Sequence, residues 1–198
     1  DIVGDKVSLV ATVAQGNDDA FGFDLTSTDK GTYIVWTEDD AKAEKPLVRS
    51  VWIALDGKLD APKTLASPEG DVDAPRVIAT DAGFVVAWVA LKREGFAPSD
   101  ASLEGAAEAR FSSWVEWMPL DSSGAAQGPA KAATKKTHVT WFALGRHGAG
   151  AEVFFVDEQA KLEGGGGRIG RVTLGESPDS ESELLASGVG SAFPDLFL

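Results

Sequence analysis

Phe23-Asp24-Leu25-Thr26-Ser27-Thr28-Asp29-Lys30-Gly31-Thr32-Tyr33-Ile34-Val35-Trp36 lies 52 residues ahead of Pro75-Arg76-Val77-Ile78-Ala79-Thr80-Asp81-Ala82-Gly83-Phe84-Val85-Val86-Ala87-Trp88. At that single offset Thr28 falls on Thr80, Asp29 on Asp81, Gly31 on Gly83 and Trp36 on Trp88. Each stretch reads as a strand, a tight turn and a second strand. The turn chemistry is Thr-Asp-x-Gly: the polar side chains bond the local backbone, and glycine reaches conformations that other residues resist. The second strand is apolar on both faces, with Phe84, Val86 and Trp88 on one and Val85, Ala87 and Val89 on the other. A strand with one wet face alternates apolar and polar residues, so this one is expected inside a sheet covered on both sides.

A third strand follows in each unit, at Val51-Trp52-Ile53-Ala54-Leu55 and at Glu116-Trp117-Met118-Pro119-Leu120. The turns Asp56-Gly57 and Asp121-Ser122-Ser123-Gly124 then lead to short fourth strands near residues 63–66 and 130–133. A weaker third unit reads as strands near 141–144, 152–156, 170–174 and 184–186. Leu55 to Pro75, Leu174 to Pro194 and Val3 to Phe23 are each 20 residues apart, so units begin near 23, 75, 140 and 194. Four short antiparallel strands recurring at this period predict an all-β fold, a β-propeller of four-stranded blades. About three blades are complete, near 23–74, 75–139 and 140–193, with partial strands at 1–22 and 194–198 in the same single domain.

Composition agrees with an all-β chain: 22 glycines and six tryptophans in 198 residues, and no run approaching the ~20 apolar residues of a membrane helix. There is no cysteine, which removes disulfides, thiolate metal sites and a cysteine nucleophile. With 31 acidic against 18 basic side chains, the net charge of −13 repels nucleic acid and anionic lipid and favours cations and basic partners. The start Asp1-Ile2-Val3-Gly4 lacks a methionine and an apolar signal core, which is expected of a chain trimmed upstream.

Thr-Asp-x-Gly before a Val-rich strand ending in Trp, followed by Trp-x-x-Leu-Asp at Trp52 to Asp56 and Trp117 to Asp121, resembles the repeats of secreted bacterial β-propellers, including those of sialidase-like shape. The resemblance implies a secreted, periplasmic or cell-surface protein. It also implies Asp-box turns, which residues 55–58 and 120–124 approximate without the aromatic that follows a full box. No Ser-His-Asp set stands out, His138 and His147 lack partners at metal-ligand spacing, and the glycine run 164–167 lacks the Lys-Ser/Thr of a phosphate loop. The expected role is a non-enzymatic scaffold presenting a binding face to a protein or glycan. The alternative is a fragment of a sialidase-like glycoside hydrolase.

Asp1-Ile2-Val3 is in register with Ile53-Ala54-Leu55, and residues 193–198 with 74–79. The ends thus supply the first, third and fourth strands of one blade; either they close a four-bladed ring that lacks one strand, or, the favoured reading, the expected partner is another polypeptide, or the remainder of a longer precursor, that completes the propeller.

In such an architecture the first-to-second turns are short and share one end, while the long connections 15–22, 38–45, 68–74, 92–109, 135–137 and 157–168 share the other. Binding residues are expected on those connections: Asp18, Asp19, Asp71, Asp73, Glu38, Asp39 and Arg93. Asp19 aligns with Asp71, so Asp18, Asp19, Asp71 and Asp73 read either as oxygen ligands for calcium or as solvated turns in which aspartate caps backbone N–H groups. If calcium is held there, titration at about 1 mM calcium gives heat of binding and a raised melting temperature. Alanine at Asp71 and Asp73 then abolishes both, and a flat titration removes the site.

Overall fold

The computed structural model describes residues 2–3, 6–7, 12–13, 22–40, 45–66, 71–94, 110–158, 167–175 and 183–189. Among them the structure is all strand and turn, with no helix. After a hairpin of β1 (Ile2–Val3) and β2 (Lys6–Val7) come β3 (Phe23–Thr28), β4 (Gly31–Asp40), β5 (Lys45–Ala54) and β6 (Lys63–Ala66). Then follow β7 (Asp71–Thr80), β8 (Gly83–Glu94), β9 (Arg110–Leu120), β10 (Lys131–Ala132), β11 (Val139–His147), β12 (Gly150–Asp157), β13 (Gly167–Thr173) and β14 (Glu183–Val189). They form three four-stranded antiparallel meanders, β3 to β6, β7 to β10 and β11 to β14, in which each strand pairs with its chain neighbour.

The two-residue turns close where the sequence places them, pairing Thr28 with Gly31 and Thr80 with Gly83; His147 with Gly150 closes the third. Glycine is needed at the first two for more than the bend. Gly31 has φ +154° and Gly83 φ +137°, in backbone territory that L side chains resist. The third strand also passes so close that a Cβ on Gly31 would lie 2.2 Å from the Ile53 carbonyl oxygen, and one on Gly83 2.4 Å from that of Leu120.

Counting from the glycine that opens each second strand, alternate residues define two faces. The first core joins Tyr33, Val35, Val48 and Leu65 of the first sheet to Phe84, Val86, Trp88, Trp114, Met118 and Leu120 of the second. The second joins Val85, Ala87, Val89, Val115 and Trp117 on the other side of that sheet to Phe142, Ala151, Val153, Phe155 and Val172 of the third. The middle sheet is therefore covered on both faces, which explains its apolar run. In each junction the second, fourth and sixth residues of one sheet's second strand lie against the first, third and fifth of the next sheet's, so the sheets stack head to tail. Specific contacts set the spacing: Tyr33 stacks on Phe84 at 4.8 Å, and the Asp24 carboxylate accepts the Val77 N–H at 2.9 Å. The Asp81 N–H donates to the Ala149 carbonyl at 3.2 Å, and the Arg146 guanidinium pairs with Asp81. First strands lie together, β3 against β7 and β7 against β11.

Several strands run further than the composition of their ends suggests. The third strands begin at Lys45 and Arg110 rather than near Val51 and Glu116, and β4 continues through Glu38, Asp39 and Asp40. Acidic residues are poor strand formers, yet pairing of Glu38 with Leu47 and Asp39 with Pro46 extends the ladder. In β7 the register slips between Asp73 and Arg76, and Ala74 takes φ 49°, a bulge that bends the strand as it enters the sheet.

Glycine at position 83 is thus fixed by sterics. Gly83→Ala is expected to cost about 2–5 kcal/mol, the sum of a strained φ and overpacking against β9. Gly128→Ala, where a Cβ would meet nothing within 4 Å, stays within about 0.5 kcal/mol of the parent in urea denaturation.

Candidate functional site

Second strands run away from the short turns and first strands run toward them. The end of β4, the start of β7 and the end of β8 therefore share one end of the stack, which collects Glu38, Asp39, Asp71, Asp73 and Arg93. These five were expected on loops and lie instead on strand ends, because the ladders continue past the apolar cores. Asp18 and Asp19 lie outside the described residues, as does the Arg93 side chain. Glu38 is engaged within its own sheet: its carboxylate accepts the Trp36 indole N–H at 3.0 Å and faces the Arg49 guanidinium at 3.5 Å. One oxygen of Asp73 accepts the Ala74 N–H at 2.6 Å and so holds the bulge. Asp39 is exposed and Asp71 half-buried, one on each of two adjacent sheets. Among the described residues no three His, Asp or Glu side chains converge as a metal-holding group, and the calcium expectation involves two residues beyond them.

Two carboxylates that the sequence reading passed over are better placed. Glu116 accepts both the Trp88 indole N–H at 3.1 Å and that of Trp114 at 2.9 Å, satisfying two buried donors with one side chain. The Lys136 ammonium sits 4.4 Å over the Trp114 ring. Glu152 is buried on the outward face of the third sheet, 3.6 Å from His147 Nδ1 and 3.8 Å from Arg171 Nε, and its Oε2 accepts no hydrogen bond. Its signal in the sequence is one carboxylate inside the run Ala151 to Val156, at the position that Tyr33 and Val85 hold in the other sheets. One carboxylate between an imidazole and a guanidinium can bind a polar group or hold another sheet in register.

At the short-turn end the acidic groups hold backbone. Asp121 Oδ1 accepts the Ser123 hydroxyl at 2.7 Å, the Ser123 N–H at 2.8 Å and the Ala125 N–H at 2.9 Å. The Ser123 hydroxyl, then these backbone donors, hold its carboxyl below the usual aspartate range. The turn is pinned to the first sheet: Gly124, at φ +73°, accepts the Tyr33 hydroxyl at 3.3 Å, and that hydroxyl also donates to Ser50 Oγ at 2.8 Å. Burial raises the Tyr33 phenol above its ordinary value, so it stays a neutral donor.

A carboxyl whose pKa is lower folded than unfolded stabilises the fold above the unfolded value of about 3.9, and that stability is lost as pH falls through the folded value. Asp121→Asn is therefore expected to lower the urea midpoint at pH 6, with the gap from the parent narrowing steadily below pH 4. A gap of unchanged size at pH 2 would show that ionisation of Asp121 is irrelevant.

Against known protein families, characterised proteins and solved structures the chain has no significant match, so its own geometry alone bears on its role.

Proposed function

We propose that the chain is a β-propeller segment and serves as a non-enzymatic scaffold, presenting its long-connection end to a protein or glycan partner. One observation carries this reading: three four-stranded meanders stack head to tail with their first strands adjacent. Stacked in this way, every second-to-third and fourth-to-first connection emerges at one end. A rigid stack with variable segments gathered at one end is a common platform for recognition. The outward faces follow from the same stacking. Ile34 and Trp36 on one side, and Phe154 and Val156 on the other, occupy positions that are junction residues inside the stack. A head-to-tail stack continues until it closes, and another polypeptide or the rest of a longer precursor would complete it.

A sialidase-like glycoside hydrolase is the second reading. It is favoured by the turn of residues 121–125, where one aspartate organises the link between third and fourth strands much as an Asp-box does.

The two ends of the stack make the scaffold reading testable. With a net charge of −13, a lysine-rich peptide is a suitable first probe in low salt. Asp39→Lys with Asp73→Lys is expected to weaken its binding several-fold in fluorescence anisotropy. Asp29→Lys with Asp56→Lys, at the opposite end, leaves it nearly unchanged. Equal loss from both pairs would mean a diffuse field and no binding end, while turnover of a fluorogenic sialoside would establish the hydrolase.

A further inference from the structure

In a chain of net charge −13, the segment 131–138 carries Lys131, Lys135, Lys136 and His138 and no acidic residue. The end of this segment runs beside β9. Ser113 and Thr137 exchange backbone hydrogen bonds at 3.1 and 3.2 Å as an antiparallel bridge. Residues on either side of such a bridge stand opposite one another, which sets Trp114 against Lys136 and Ser112 against His138. The first of these pairings is visible in the Lys136 ammonium 4.4 Å over the Trp114 ring. On its other edge β9 pairs Ser112 with Lys92 and Trp114 with Ala90 of β8. Lys92, Ser112 and His138 therefore form one row across three adjacent segments. The row lies on the face that Ala90 and Trp114 turn to the first sheet, just beyond the buried core.

Lys92 and Lys136 are exposed, and Ser112 and His138 half-buried. The Ser112 hydroxyl oxygen and His138 Nδ1 are shielded from water and have no hydrogen-bond partner. Each such atom costs free energy, and native folds carry few of them. Here two stand opposite each other between two ammonium groups. Of the acidic groups around them, Asp39 is exposed on the matching face of β4. Asp157 and Glu158 approach from the third sheet, where the Glu158 N–H donates to the His138 carbonyl at 2.9 Å, and both are engaged in contacts of their own.

We infer that Lys92, Ser112, Lys136 and His138 bind a tetrahedral oxyanion, a phosphate or sulfate group, at the long-connection end of the second sheet. Ammonium groups are point charges without the planar fork by which arginine matches a carboxylate, so separate donors around a centre suit a group with oxygens on every side. The hydroxyl and the imidazole each donate to one oxygen, and the two lysines offset the charge. Rotation about the Cα–Cβ bond of Ser112, which no hydrogen bond of its hydroxyl opposes, carries that hydroxyl to the open side of the row. The site stands on the placement of these four residues and not on the scaffold reading, so either can fail alone.

Nuclear magnetic resonance titration of the chain with inorganic phosphate, and in parallel with phenyl phosphate, reads the site directly. The Ser112 and His138 amide signals shift and saturate, while those of the short-turn end stay in place. Lys92→Ala with Lys136→Ala weakens binding about tenfold. Lys30→Ala with Lys58→Ala removes the same charge from exposed positions at the opposite end and changes it by less than about twofold. Ser112→Ala weakens it about threefold and leaves the melting temperature unchanged, because that hydroxyl bonds nothing in the fold. Tighter binding of phenyl phosphate assigns the site to an ester on a larger molecule, and equal binding assigns it to the free anion. Equal losses from the two lysine pairs, or full binding by Ser112→Ala, would reduce the effect to unspecific attraction and overturn the site. So would a titration that shows no saturation by about 20 mM.

Discussion

The covering of the middle sheet on both faces is the constraint on which the rest of the structure depends. Val86, Trp88, Ala87 and Val115 are inaccessible to water although they point to opposite sides of the same sheet. A sheet of this kind has no face to give to solvent, so it cannot exist without both neighbours. Each neighbour in turn buries a face whose exposure would cost about 25 cal/mol for every Å² of apolar surface. Several polar groups inside the stack are individually matched, although the buried Thr37 hydroxyl oxygen has no partner. Tyr33 is held by Ser50 and Gly124, and the Trp88 and Trp114 indoles by Glu116. Such satisfied groups fix the relative position of the sheets, which burial alone would leave free to slide.

The local parts of this arrangement were legible in the sequence, and the non-local parts only in outline. Thr28 to Gly31 and Thr80 to Gly83 announce their turns because the chemistry of a two-residue turn lies in adjacent residues. The two apolar faces of Phe84 to Val89 announced a covered sheet because strand periodicity is also local. The outer limits of the strands were not legible. Glu38 and Asp39 look like loop residues, and it is their cross-strand pairing to Leu47 and Pro46 that keeps them in the ladder. The same gap affected the site. Glu38 was a candidate for binding because its charge was visible, whereas its engagement by Trp36 and Arg49 depends on a rotamer and a neighbouring strand. Glu152 carried a local signal, a carboxylate in an apolar strand, that composition and spacing did not bring forward.

The acidic residues divide into two kinds of work. Asp24, Asp73 and Asp121 accept backbone N–H groups, respectively between sheets, at a bulge and in a turn, and each replaces a hydrogen bond that the ladder does not supply. Asp39, exposed at the end of β4, adds to the field. Net charge is therefore a poor guide to where this chain meets other molecules. The distinction between carboxylates consumed by backbone and carboxylates facing water is sharper.

Head-to-tail stacking also has a consequence for how such a chain lengthens. Every junction reuses the same two faces, the one carrying Tyr33 and Val35 and the one carrying Phe84 and Val86. Duplicating a stretch of gene that encodes one sheet inserts a unit whose two faces already fit those on either side, and no contact of a new kind has to arise. Growth by whole units is then nearly neutral for the interior, while gain or loss of a fraction of a unit would leave part of an apolar face uncovered. Selection on the interior would thus favour chain lengths that change in steps of one sheet, and leave the connections between strands free to diverge.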